Sequence, residues 1–235
     1  MRKFRTKIFA DGADKAGMLE MYKNPLISGF TTNPTLMRKA GVTDYQAFAQ
    51  EIVRAIPDRP LSFEVFSDDF VDMERQARII ASWGPNVYVK IPITNTRSES
   101  CVDLLKTLSV AGIRVNVTAM MTLEQVRAVS AALSKSPGGF ISVFAGRIAD
   151  SGRDPVPIMR EAVKILKPYP LLELIWASPR EILNLVQAED VGCQIITMTN
   201  DLIQKIPLVG KELDEYSLDT VKMFYSDAQK VGYRL

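Results

Sequence analysis

Histidine is missing from all 235 residues. That absence removes Ser–His–Asp catalysis, histidine proton shuttles and histidine-ligated metal centres. Acid–base chemistry must then fall to Asp, Glu, Lys, Tyr, Cys or water. Cysteine is scarce: Cys101 and Cys193 stand far apart with no paired-ligand spacing, so neither a disulfide framework nor a metal site is expected, and a reduced, cytoplasmic protein is. No apolar run reaches the roughly 20 residues of a membrane-spanning helix. The basic start, MRKFRTK, passes into IFADGAD rather than a long apolar segment, so no secretory signal is expected. Net charge is only +2, which argues against nucleic acid or a membrane surface as a partner. No glycine-rich dinucleotide or Walker fingerprint follows any β-like run, which removes the main reason to expect a Rossmann-like doubly wound sheet.

What is present is a regular alternation. At 47% hydrophobic the chain can bury a substantial core. Short β-branched and aromatic runs occur at 6–10, 28–32, 61–66, 86–93, 113–120, 140–146, 171–177 and 192–198. Amphipathic helical runs separate them, at 15–22, 44–56, 68–83, 98–112, 123–135, 156–166 and 179–188. A final helix is expected within 215–235, beyond the eighth unit. Eight β-runs, each followed by a helical run and none by a hairpin signal, predict an all-parallel sheet. An eight-fold repeat at this length predicts an α/β fold, a single-domain (β/α)8 TIM barrel over 1–235.

In such a barrel the C-terminal strand ends and the loops after them build the functional mouth. Polar residues recur there: Asp11, then Thr31, Thr32 and Asn33, then Glu64, Lys90, Asn116 with Thr118, Ser142, Arg147, and finally Ser178 with Arg180. Lys90 is the least ordinary, sitting in the apolar run NVYVKIPIT. A lysine there either pairs with a carboxylate or extends its head to solvent, or it is a desolvated nucleophilic amine. With no histidine nearby, the second role suits a Schiff base with a carbonyl substrate. Asp11 and Glu64 would move the protons, directly or through water. Asn33 and Asn116 can hydrogen-bond hydroxyls, and Arg147 and Arg180 with the Ser178 hydroxyl can hold a phosphate. The alternative for each arginine is a surface ion pair.

Several of these residues lie in motifs that resemble a known family. GFTTNPTL (29–36) resembles a signature of the transaldolase family, and Lys90 in VKIPIT its Schiff-base lysine. FADGAD (9–14), SFEV (62–65), RVNVT (114–118), ISVFAGRIAD (141–150) and ASPR (177–180) follow in the family's order. The resemblance implies a transaldolase acting on sugar phosphates with no cofactor or metal, and a homo-oligomer, pentamer or decamer, in which the C-terminal helix reaches a neighbour. It implies Asp11 as acid–base residue, Glu64 acting through a water supported by Thr118, and Thr31, Asn33 and Asn116 as substrate-binding. Ser142 and Phe144 match active-site positions of the sixth strand, and Arg147, Ser178 and Arg180 the phosphate-binding set. An aldolase group within the family, which releases free dihydroxyacetone, usually has Gln at position 64 and Tyr at 144. Gly12 replaces a usual Thr or Ser, and Pro179 a common aromatic.

Overall fold

A computed structural model describes residues 3–234. Eight strands close into a parallel barrel in chain order: β1 (Lys7–Asp11), β2 (Ile27–Thr31), β3 (Leu61–Glu64), β4 (Val87–Pro92), β5 (Val115–Met120), β6 (Gly139–Val143), β7 (Leu172–Trp176) and β8 (Ile195–Met198), with β8 pairing back onto β1. Around it run α1 (Lys15–Lys23), α2 (Pro34–Lys39), α3 (Tyr45–Ala55), α4 (Phe70–Ala81), α5 (Val102–Val110), α6 (Leu123–Ala132), α7 (Ala145–Asp150), α8 (Val156–Leu166), α9 (Leu183–Val191) and α10 (Asn200–Ile203). The long α11 (Leu213–Val231) follows. The expected (β/α)8 barrel is the observed architecture.

Local chemistry sets the boundaries. Asp14, Asn33, Asp44, Asp69 and Thr122 each accept a backbone N–H in the first turn of the helix they precede, which satisfies an otherwise unpartnered donor. Gly192 closes α9 in the left-handed conformation, where a Cβ would be strained. The strands are near-continuous apolar runs because one face meets the helices and the other the barrel interior.

The outer core lies between strands and helices, with Trp176, Ile52, Leu105 and Leu174 all buried. The barrel interior holds a separate cluster of Phe9, Phe140, Ile175, Ala177 and Ile195, with Tyr88 and Phe144 packed against it. Phe140 stacks on Tyr88 with ring centroids 4.1 Å apart and meets Phe9 edge-on at 5.4 Å. Gly29 makes room: a Cβ there would come within 2.6 Å of the Phe9 ring. These rings fill part of the barrel interior.

Four local expectations are revised. β6 ends at Val143, so Arg147 stands on the short α7 rather than at a strand end. The helix expected from Pro179 begins only at Leu183, because Ser178 takes a left-handed φ of 59° and Pro179 follows it. A short helix, α2, occupies 34–39, where none was expected; Pro34 at its first position needs no N–H partner. The last helix starts earlier than 215 and stops at Val231, where Gly232 ends it. Leu235 of that expected helix, like Met1 and Arg2 of the basic start, lies outside the described residues.

Candidate active site

Strand register brings the first three groups to one height. Glu64 pairs with Lys90, and Lys90 with Asn116, across β3, β4 and β5. The Lys90 side chain is only 7% exposed. Its Nζ donates to the Thr32 carbonyl at 2.7 Å and lies 3.2 Å from Glu64 Oε2. The Thr32 carbonyl is available because the chain turns at Asn33 into α2 instead of continuing the sheet.

Asp11, at the end of β1, accepts from the Thr31 hydroxyl at 2.8 Å. Burial pushes its carboxyl above the usual aspartate range, the Glu64 charge adding slightly; the Lys90 charge and the Thr31 hydrogen bond pull the other way without cancelling the effect. On the other side of Lys90, Ser142 donates to Asn116 Oδ1 at 2.7 Å, and Asn116 Nδ2 donates to Ser62 Oγ at 3.1 Å. This chain orients the buried Asn116 amide. Thr118 is buried two residues further along β5, just before the irregularity at Ala119, whose φ is 63°. Such bulges commonly re-aim side chains beside active sites.

Two expected residues serve local structure. Asn33 Oδ1 accepts the Leu36 N–H at 2.9 Å as the cap of α2; the side-chain NH2 takes no part in that bond. Phe144 precedes α7 and packs, half-buried, against the interior aromatic cluster.

Arg147, Ser178 and Arg180 form a second group, beyond β6 and β7 at the same rim. Arg147 is exposed on α7. Arg180 is not a free cation: its Nε donates to Asp150 Oδ1 at 2.9 Å, and its Nη2 to Asp150 Oδ2. This two-point pairing lowers the Asp150 carboxyl and raises the Arg180 guanidinium. Gly146 packs on the following loop so tightly that a Cβ would sit 1.5 Å from the Ser178 carbonyl oxygen. Among the described residues, no hydrogen bond or ion pair joins this group to Lys90.

The sequence reading missed Ser62, Asp150 and the Thr32 carbonyl. Ser62 is detectable from period two, since it shares the inward face of β3 with Glu64. Asp150 follows Arg147 by one helical turn, but its pairing with Arg180 depends on tertiary contact. Beside β1 lies a cavity of about 260 Å³ lined by Asp11, Gly12, Met18, Leu36, Lys39 and Asn200 among others. A Cβ at Gly12 would meet nothing within 4 Å, so glycine there leaves open space.

A buried amine beside one carboxylate, with a second carboxylate made basic by burial, is the arrangement that carbonyl capture and proton transfer require. The family model for transaldolase/fructose-6-phosphate aldolase matches residues 8–235. The chain belongs to the transaldolase/fructose-6-phosphate aldolase family. It is similar to a protein named "Probable transaldolase" in Dehalococcoides mccartyi, 34% identical over 217 residues, covering 91% of this chain and 97% of that one. "Probable transaldolase 2" of Listeria monocytogenes is 35% identical over the same length, covering 91% and 95%. The fold alone is shared with the crystal structure of 3-hexulose-6-phosphate synthase from Salmonella typhimurium: TM-score 0.54, 14% identity, 83% of this chain and 89% of that one. Membership of this family makes the chain an enzyme of the transaldolase or aldolase kind. Among the described residues, no helix is long and apolar enough to cross a membrane.

Proposed function

We propose that the chain is a transaldolase, moving a dihydroxyacetone unit from a ketose phosphate to an aldose phosphate through a Schiff base on Lys90. The observation that carries this reading is the Lys90 amine, buried and 3.2 Å from the Glu64 carboxylate. Glu64 takes the proton that Lys90 must shed, directly or through a water that Thr118 helps to hold. The free amine attacks the ketose C2 carbonyl. A C–N bond forms, the carbonyl oxygen is protonated and leaves as water, and a protonated imine remains.

Cleavage then needs a base at the C4 hydroxyl. Asp11 takes that proton as the C3–C4 bond breaks; the electron pair passes through C3 into the imine, leaving an enamine, and the aldose phosphate departs. The burial that raises Asp11 makes it a stronger base for this step. In the second half the enamine carbon attacks the acceptor aldehyde, Asp11 returns its proton, and water hydrolyses the imine. Thr31, Asn33, Asn116 and Ser142 hold the substrate hydroxyls, with Phe144 walling the site, while Arg147, Arg180 and Ser178 receive the phosphate.

Glu64 and Phe144 support transfer over release of free dihydroxyacetone, the aldolase alternative. Sugar-phosphate exchange of the pentose phosphate type, in the cytoplasm, suits this reading. So does self-assembly through α11, which carries exposed Leu218, Val221, Phe224 and Tyr225 and no buried residue among those described.

Borohydride added with a ketose phosphate is expected to fix a three-carbon adduct on Lys90, located by peptide mass spectrometry. A Lys90→Met variant should lose transfer by at least about 10³-fold, since a thioether forms no imine. Full activity in that variant would reject the mechanism. Steady dihydroxyacetone release without an acceptor would favour the aldolase.

A further inference from the structure

On its β4 side Glu64 is held by the ladder, the Val65 N–H donating to the Lys90 carbonyl at 3.1 Å, but on its β2 side the rung is missing and a side chain from outside the barrel fills it. Between β2 and β3 the ladder runs Phe30 N–H to Pro60 carbonyl at 2.8 Å, then Thr32 N–H to Ser62 carbonyl at 3.1 Å. The next rung in that register would run from residue 34 to the carbonyl of Glu64. Residue 34 is proline, which has no N–H, and here the chain has already turned into α2. The hydroxyl of Tyr45, the first residue of α3, donates to the Glu64 carbonyl at 2.7 Å instead.

We propose that Tyr45 is a positioning residue for catalysis, its hydroxyl replacing the absent Pro34 N–H and fixing the peptide that carries Glu64 beside Lys90. Three aromatic rings aim the phenol: Phe66 at 5.6 Å between centroids, Trp83 at 5.9 Å and Phe63 at 6.5 Å. Phenylalanine would satisfy that packing equally well, so the hydroxyl has the carbonyl as its purpose. Just beyond Glu64, the buried Gln76 Oε1 accepts the N–H groups of Phe66 and Ser67 at 2.9 and 3.2 Å. The loop is thus fixed on its far side by α4, and Tyr45 supplies the near side. Without it, the Glu64–Val65 peptide keeps only its other bond, from the Val65 N–H to the Lys90 carbonyl at 3.1 Å, and the carboxylate can shift relative to Lys90 Nζ. Proton transfer is sensitive to such displacement, whereas sugar and phosphate contacts elsewhere in the mouth are not affected.

The inference rests on Glu64 handling the proton of Lys90, as proposed above. The test is a kinetic cycle of Tyr45→Phe, Glu64→Gln and the double variant, assayed on one ketose and aldose phosphate pair. Tyr45→Phe is expected to lower kcat by about fivefold to tenfold with KM within about twofold. In the Glu64→Gln background the same change should cost less than about twofold, because there is no carboxylate left to position. An unchanged kcat for Tyr45→Phe, or an equal loss in both backgrounds, would overturn the role. If Glu64→Gln alone retains full activity, the reading of Glu64 fails, whatever Tyr45 does.

Discussion

At the scale of single residues, the site sets function against stability. Asp11 has its carboxyl raised by burial, so ionising it within the fold is unfavourable. The sign follows from linkage: between the unfolded and folded pKa values the native state holds the extra proton, so stability falls as pH rises through that window and stays lower above it. Asp11→Asn removes the buried charge and keeps an oxygen to accept from Thr31. It is expected to raise the melting temperature at neutral pH by about 2–4 °C, corresponding to ~1 kcal/mol for a chain of this size. It should also lower kcat by about 10²-fold or more. A lower melting temperature would mean that attraction to Lys90 outweighs the cost of burial. Lys90, Glu64 and Asp11 were all legible in the sequence, because a charged residue inside an apolar run, or just after one, stands out. The Ser62 position is readable only as an inward-facing serine of β3, and its bond to Asn116 is not; Tyr45 is not legible at all, because a tyrosine at a helix start looks ordinary until its partner is known.

Among elements, the most exacting contact is that of α7 with the loop after β7. Gly146 lets the two backbones touch, and Asp150 then grips Arg180 from the same helix. Gly146→Ala forces a Cβ into the Ser178 carbonyl, for which no side-chain rearrangement compensates. A loss of about 1–3 kcal/mol is expected, measured by denaturant unfolding. The KM for phosphorylated substrate should rise several-fold more than kcat falls, provided this loop carries the phosphate. Unchanged stability would show that the backbone yields freely there. Strands and long helices are readable from their periodicity, but the start of α7 is not: FISVFAG stays apolar through Ala145 and Gly146, past the point where the chain turns, and apolarity alone does not distinguish the end of β6 from the start of α7.

For the whole molecule, α11 is the element that the barrel does not use. Its apolar residues recur at helical spacing through Leu218, Val221, Tyr225, Ala228 and Val231, yet none of its described residues is buried. A stripe of that kind ordinarily faces a partner, and a second copy of the chain is the proposed one. Light scattering of the full chain is expected to give a multiple of its 26.2 kDa protomer mass. Removal of residues 212–235 should leave a folded barrel with the mass of a single protomer. A full-length chain that is already monomeric at micromolar concentration would reject that assembly.

The residue pattern by itself determined that eight strands alternate with helices, that the sheet is parallel and closed, and that a lysine and two carboxylates sit at strand ends. These follow from local periodicity and from the rule that short βα units close in chain order. Tertiary structure alone decided that Arg180 is held by Asp150 rather than standing free, that Asn33 is committed in part to capping α2, and that Tyr45 completes the rung Pro34 cannot make. Each of these is a hydrogen bond whose existence depends on where β2, β6 and β7 hand the chain to a helix. The direction of those turns is settled by packing in three dimensions, which periodicity along one dimension does not encode.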